Sequence, residues 1–278
     1  MTFVPALPIG GFAGWQFLNR TMEKQKAAFA NSAQTRRDVD YFRDNIAKVK
    51  SADDLVSDRR LMRVALGAFG LESDLPNRFF IRKVLEEGTI EPRSLANRLA
   101  DKRYAELSRA FGFDLGVPNT GLSDFGDRIV RAYETRQFEV AVGGVDETMR
   151  LALNLRRELA EFAGRDSSER AKWFGILGNP PLRQTFETAF GLPKGFGALD
   201  LDRQLDVMQR RSRAAFGDAT VSQFSDPDRL DSLVQRFIVR AEIEKGAALS
   251  GPARGAAALQ LLQGASAFAG ARPGLFGR

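Results

Sequence analysis

The sequence contains neither cysteine nor histidine. Without cysteine it can form no disulfide, no thiolate nucleophile and no cysteine-ligated metal site. Without histidine it lacks the commonest general base and the commonest zinc ligand. Carboxylates, lysine and tyrosine remain as catalytic groups, but the two absences lower the expectation of catalysis. We therefore predict that the protein is not an enzyme, with no catalytic, cofactor-binding or metal-binding residues.

Long apolar runs are also missing. A transmembrane helix is indicated by about 18 consecutive apolar residues, and no stretch of the sequence approaches that length. The first residues lack a basic segment and an Ala-x-Ala-like cleavage site, and Pro5 and Pro8 interrupt their apolar character. We therefore expect neither a transmembrane helix nor a cleaved signal peptide.

Charge is abundant but mixed. Lysine and arginine number 41 against 35 aspartate and glutamate residues, which gives a net charge of +6. Basic and acidic residues alternate within most segments, as is typical of solvated helix faces. The densest basic clusters are arginines 59, 60 and 63 and arginines 210, 211 and 213. A nucleic-acid interface would gather such residues on one face with aromatic rings between them, so we interpret both clusters as solvated surface.

One stretch occurs twice, at residues 58–71 and 179–192, and both copies end in Ala-Phe-Gly-Leu. The apolar spacing in each predicts a short amphipathic helix that a glycine terminates in the left-handed conformation. The glycines are Gly70 and Gly191, and we expect Phe69 and Phe190 to be buried at equivalent places beside them.

The apolar spacing along the rest of the chain is helical, and no segment predicts a strand. Individual predictions include a helix from Trp15 to Phe29, one after Thr35, a single helix from Pro92 to Phe111, and a long one from Ser123 that Gly143 interrupts. The fold class is therefore all-α, a multi-helix bundle.

We divide the chain into a flexible arm (1–14), a helical body (15–245) and a flexible, basic, Ala- and Gly-rich tail (246–278). Within the body we predict two related helical units, about 36–115 and 165–245, joined by the helical segment 123–163. Helices this short bury their apolar stripes against one another, which favours one continuous body over two lobes, although the sequence leaves both open.

Paired acids are candidates for general acid–base catalysis. They occur at Asp53 and Asp54, at Glu86 and Glu87, and at Asp200 and Asp202. Catalysis would require two carboxylates that converge in a cleft with separated pKa values. The first and third pairs fit helix starts and the second a solvated helix end, so we interpret all three as structural.

Several motifs together resemble the DUF1217 family of alphaproteobacterial proteins, whose biochemical function is unassigned. They are LMRVALGAFGL (61–71), LANRLADKRY (95–104) with AFGF (110–113), YETRQFEVAVG (133–143) with MRLAL (149–153), and LRQTFETAFGL (182–192). The resemblance covers about residues 36–245 and leaves out the arm and the tail. Because genes of this family often lie among flagellar genes, it implies a link to the flagellum. It supplies no catalytic residues.

Two hypotheses follow. The first is a non-enzymatic accessory or structural protein of the flagellum that acts through helix-mediated contacts with other flagellar or export proteins. It would be cytoplasmic, or exported by the flagellar apparatus and associated with the flagellum. The alternative is a basic helical module that binds nucleic acid or an acidic protein. The sequence does not indicate an oligomeric state.

Overall fold

The computed structural model describes residues 3–249, and within them it contains thirteen α-helices and no strand, which confirms the all-α prediction. No helix in this range is both long and apolar enough to cross a bilayer. The helices are α1 (Gly11–Ala30), α2 (Ala33–Ile46), α3 (Ala52–Ser57), α4 (Arg59–Phe69), α5 (Arg78–Glu87), α6 (Leu95–Arg98), α7 (Arg103–Phe111), α8 (Phe125–Gly143), α9 (Glu147–Gly164), α10 (Glu169–Leu177), α11 (Pro180–Phe190), α12 (Leu201–Phe216) and α13 (Pro227–Leu249).

Local signals set where many of these helices begin and end. Ser51 and Asp54 form a reciprocal capping box at the start of α3. Asn179 caps α11, whose first positions are prolines that need no hydrogen-bond acceptor there. Glycines in the left-handed conformation end four helices, at positions 70, 112, 191 and 217.

The buried apolar side chains form two main clusters. The N-terminal core is built from α2, α3, α4, α5, α7 and the first half of α8. The C-terminal core is built from α1, the second half of α8, and α9 to α13. Helix α8 takes part in both, because Ile129 and Tyr133 belong to the first cluster while Phe138 and Val142 belong to the second. This single helix therefore connects the two cores.

The single helix predicted from Pro92 to Phe111 is two helices, α6 and α7, with Leu99 extended between them. The Lys102 N–H donates to the Gly178 carbonyl at 3.1 Å, so a contact with the C-terminal part of the chain holds this break. Helix α10 was not among the helices that the periodicity predicts. Its apolar residues surround most of its circumference, and a buried helix of that kind lacks the one-sided spacing.

The first helix begins at Gly11, inside the segment assigned to the flexible arm. Ahead of it, the backbone of Ala6 exchanges hydrogen bonds of 2.8 and 3.1 Å with the Gln25 side chain. The Phe3 ring lies edge-on to Phe29 with centroids 5.5 Å apart. At the other end α13 continues to Leu249, and residues 250–278 of the predicted tail lie outside the described residues. The relation between two helical units stays a prediction.

Candidate functional site

A layer of charged side chains lies between the two cores. On α8, Arg136 and Glu139 lie on either side of the change from the N-terminal to the C-terminal cluster. The layer, called here the charged layer, comprises Glu72, Asp101, Arg103, Arg136, Glu139, Arg150, Arg157 and Glu158. Charges this close to a core require partners, so their pairing determines what the layer can do.

Two nearly buried glutamates form the centre of the layer. Glu158 is 1% exposed and receives Arg136 Nη2 at 2.7 Å and Arg157 Nη1 at 2.5 Å. Glu139 accepts two parallel hydrogen bonds from Arg157, at 2.7 and 2.9 Å. Burial acts to raise the pKa of Glu158, but Arg136 and Arg157 outweigh it and hold the pKa below its usual range. Both glutamates are therefore fixed in place by arginines.

Arg103 belongs to the part of the layer that lies at the end of α4. Its guanidinium pairs with Asp101 at 2.7 Å and also donates to the carbonyl of Gly70, the residue that ends α4. Glu72, two residues further, accepts a hydrogen bond from Gln137 on α8. The last carbonyls of a helix lack partners within the helix, so a cation there is favourable.

A cavity of about 50 Å³ opens in the charged layer. Its walls come from the ends of α4 and α11 and from α7, α8 and α9. The side chains that define its polarity are Glu72, Arg103, Arg136, Glu139, Arg150, Asn154 and Asn179. Asn154 is only 5% exposed, and its Oδ1 has no hydrogen-bond partner within the described residues. Since buried polar atoms are nearly always paired, this oxygen is an exception among the described residues.

The cavity offers charge and hydrogen bonds rather than a reactive group. The buried glutamates that contact it or lie beside it are held by arginines, and no serine or threonine lines it. Within residues 3–249, no group of three or more acidic residues is placed to hold a metal ion. The arrangement is suited to holding a small polar ligand.

The paired acids singled out in the sequence lie apart from this layer and have local partners. Asp54 accepts the N–H groups of Lys50 and Ser51, which holds its pKa below the usual range. Glu87 Oε2 accepts the Leu95 N–H at 2.6 Å. Asp200 caps α12 through the Arg203 N–H at 2.9 Å. The remaining three pair with arginines: Asp53 and Glu86 with Arg82, and Asp202 with Arg170.

The two arginine clusters also have neighbours of opposite charge or aromatic character. Arg63 lies 3.6 Å from Asp38, and the Arg60 guanidinium stacks over the Tyr41 ring at 3.7 Å from its centroid. In the second cluster, Arg210 pairs with Asp206 at 2.6 Å one turn away.

The sequence does not predict the charged layer, because charges that alternate along helices are typical of solvated faces. For Glu139 and Glu158 this interpretation is wrong, since both are buried. One signal was present: α9 carries apolar residues on several faces, and the structure buries Leu151, Ala152, Leu153 and Leu155 in succession. A helix surrounded by neighbours must bury its polar residues as well.

Comparison with known proteins gives the family of the chain. No curated protein matches it. The crystal structure of protein AGR_C_984 from Agrobacterium tumefaciens is similar, with a TM-score of 0.71 and 26% sequence identity over 87% of this chain and 99% of that one. The family model described as "Protein of unknown function (DUF1217)" matches residues 68–230, which is more than half of the chain. The chain therefore belongs to the DUF1217 family.

Proposed function

We propose that the protein is a non-enzymatic accessory or structural component of the flagellum that acts by binding other proteins. The link to the flagellum comes from the location of family genes among flagellar genes. The chemistry of the described residues agrees with a binding role, since their buried charges are paired and the candidate acids cap helices or form ion pairs.

One surface feature supports the binding role most directly. Ile90, Leu115, Val117 and Leu122 are between 52% and 80% exposed, and we call them the apolar loop surface. The loops that carry the first three are joined by Asp114, whose carboxylate accepts the N–H groups of Thr89 and Ile90 at 2.8 and 3.3 Å. Exposed apolar side chains on loops that hydrogen bonds hold together are typical of protein interaction sites.

The test is deletion of the gene followed by scoring of swimming and filament assembly. We expect the deletion strain to lose swimming or filament assembly, and the wild-type gene to restore the lost property. A double variant, Leu115→Asp with Val117→Asp, should fail to restore motility, because it places two charges in the apolar loop surface. The matched control is Ile243→Asp, at a 58% exposed position on α13.

Normal motility and intact flagella in the deletion strain would contradict the flagellar role. If the double variant restores motility at wild-type protein levels, the role of the apolar loop surface is contradicted, but the flagellar role is not.

The alternative, a basic module for nucleic acid or an acidic protein, has one supporting feature in the stacking of Arg60 on Tyr41. Binding to nucleic acid should weaken steeply with added salt, because it releases counterions. A gel-shift series with mixed-sequence DNA that shows no retardation at low salt would exclude the nucleic-acid version. A shift that Arg60→Ala abolishes would favour it over the flagellar proposal.

A further inference from the structure

Helix α5 has an exposed face that carries a large aromatic ring. Its inner side buries Ile81, Val84 and Leu85. On the outer side Phe79 is 81% exposed, the highest exposure of any large apolar side chain in the described part of the chain. The Arg82 guanidinium lies 5.6 Å from the centroid of this ring and leaves most of it open to solvent. Single exposed apolar residues are common on protein surfaces, so the residues around Phe79 decide what it means.

The charges along the outer face run in the reverse of the order that stabilises a helix. Two bases, Arg82 and Lys83, come first, and two acids, Glu86 and Glu87, end the helix. The helix dipole favours acids at the start and bases at the end, and a pair four residues apart is better with the acid first.

The partners that these charges have in their own chain are exposed and weak. Arg82 lies 3.6 Å from Glu86 and 3.2 Å from Asp53, and Lys83 lies 3.7 Å from Glu87. Between 36% and 65% of each side chain is exposed, and ion pairs of this kind contribute little to stability. The stability of α5 therefore does not explain the order of its charges.

A second copy of the same helix, turned antiparallel, has the complementary order. Residues equally far from a two-fold axis in opposite directions along the helix face each other across it. An axis beside the middle of the charged segment places Arg82 opposite Glu86 of the second copy. It also places Lys83 opposite Glu87 of the second copy, and the symmetry repeats both pairs. A parallel arrangement would bring like charges together, so the charges select the antiparallel one.

The apolar residues near the two ends of α5 fit the same register. Phe79 comes close to the segment that follows α5 in the second copy, where Ile90 is 61% exposed. Asp114 accepts the Ile90 N–H at 3.3 Å and so holds this segment. A cavity of about 220 Å³ beside Phe79, with Val56 in its wall, has space for an aliphatic side chain. Burial of these apolar groups would favour association.

We propose that the exposed face of α5 pairs antiparallel with the same face of a second copy to form a two-fold dimer. The helix has ten residues, which makes a short contact, so the dimer should be reversible with a Kd on the order of 10 µM. The inference goes beyond the proposed function and uses only Ile90 of the apolar loop surface. Loss of self-association would leave the flagellar role intact, and normal motility of the deletion strain would leave the dimer intact.

Sedimentation velocity of the full chain over a range of concentrations tests the dimer. The mean mass should rise from that of one chain towards that of two. Phe79→Ser should weaken self-association at least about tenfold, and it should not lower the unfolding temperature because the ring is exposed. The control is Ile243→Ser, the loss of a 58% exposed apolar side chain on α13, which should leave self-association unchanged.

Exchange of charge tests the antiparallel pairing. Arg82→Glu places an acid opposite Glu86 of the second copy, and Glu86→Arg places a base opposite Arg82 of the second copy. Each variant alone should self-associate at least about tenfold more weakly than the wild type. An equimolar mixture should recover association, because the two substituted positions then face each other with opposite charges, as do the two unchanged ones. Glu87 is left unchanged because it also accepts the Leu95 N–H.

A wild-type chain that stays monomeric about tenfold above the expected Kd would overturn the proposal and leave Phe79 to a different protein. Self-association that Phe79→Ser does not weaken would also overturn it, since the copies would then meet at another surface. This result remains decisive if a charge variant fails to fold. If both charge variants self-associate weakly and the mixture does not recover, the α5 faces do not oppose each other, and the antiparallel pairing is wrong.

Discussion

Helices α4 and α11 end in the same motif but pack by different means. Gly70 has φ 69° and ψ 34°, and Gly191 has φ 60° and ψ 44°, both in the left-handed region. After each glycine, the leucine N–H returns to the carbonyl five residues earlier, at 2.9 Å from Leu71 and 2.8 Å from Leu192. These are two copies of one helix-terminating motif, which confirms the prediction for both glycines.

The two helices differ in the size of the residues that they carry at aligned buried positions. Helix α4 approaches α8 through small residues, and a Cβ at Gly67 would lie 2.8 Å from the Tyr133 ring. Helix α11 instead buries large rings. Phe186, which aligns with Ala65 of α4, is fully buried and lies 5.5 Å from Trp173 and from Phe190 between ring centroids.

The difference shows that the helix stop is local, whereas burial depends on the neighbour. The expectation that Phe69 and Phe190 are equally buried is wrong, because Phe190 is 4% exposed while Phe69 is only half-buried. In α4 the residues Leu61, Ala65 and Ala68 are buried in the N-terminal core, whereas Phe69 only packs against its margin.

The largest effect on stability should come from Phe186→Ala. Truncating a fully buried phenylalanine removes its transfer free energy and leaves a cavity, at a cost of about 3–5 kcal/mol. Phe69→Ala removes a half-buried ring and should cost clearly less. Urea melts of both variants measure the difference. Equal costs would show that Phe69 is as much an anchor as Phe186, against the contrast drawn between the two helices.

A smaller effect is expected when α4 receives the residue that α11 has at the aligned position. Gly67→Thr forces a side chain into the Tyr133 ring, and overpacking of this kind costs about 1–3 kcal/mol. The reverse change, Thr188→Gly, removes a half-buried side chain from α11 and should cost less than about 1 kcal/mol. A Gly67→Thr variant as stable as the wild type would mean that close approach of α4 and α8 is not required.

At the shared stop the two helices should respond alike. Gly70→Val and Gly191→Val each place a β-branched residue in the left-handed region, at a cost of at least about 1–2 kcal/mol. The new Cβ would lie 3.2 Å from Arg103 Nη1 at position 70 and 3.2 Å from Arg240 Nη1 at position 191. Gly195→Val is the control, since Gly195 has φ −80° and open space around it, and should stay within about 0.5 kcal/mol. Unequal responses at the two glycines would argue against equivalent motifs.

The helix ends can be predicted from the sequence, whereas the charged layer cannot. Caps such as Ser51 and Asn179 and stops such as Gly70 depend on residues within one turn, so their pattern is readable. The partners of Glu139 are on another helix, and Arg157 reaches it across 18 residues. Spacing along a single helix carries no information about such pairing, and the cavity beside Asn154 depends on five helices at once.

The smallest effect concerns the N-caps, where α4 has Asp58 and α11 has Asn179. The Asp58 carboxylate accepts the Arg60 and Leu61 N–H groups and the Tyr41 hydroxyl, the last at 2.6 Å. Burial acts to raise the pKa of Asp58, but these hydrogen bonds outweigh it and hold the pKa below its usual range. The carboxylate therefore stabilises the fold above the unfolded-state pKa of about 3.9, and this stability is lost as the pH falls through the lower folded-state value.

Asp58→Asn gives α4 the same type of cap as α11 and removes this titration. Both residues are good caps, so at pH 7 we expect a change of less than about 1 kcal/mol. The difference in unfolding free energy between wild type and variant should be constant from pH 7 to about pH 5 and should decline below about pH 4. Tyr41→Phe keeps the ring under Arg60 but removes one hydrogen bond to Asp58. The folded-state pKa of Asp58 should then move towards the unfolded-state value, so the decline should be smaller and should end at higher pH. Urea melts between pH 7 and pH 3 measure these differences. Parallel curves for wild type and Asp58→Asn over the whole range would mean that the cap of α4 acts, like that of α11, without a charge.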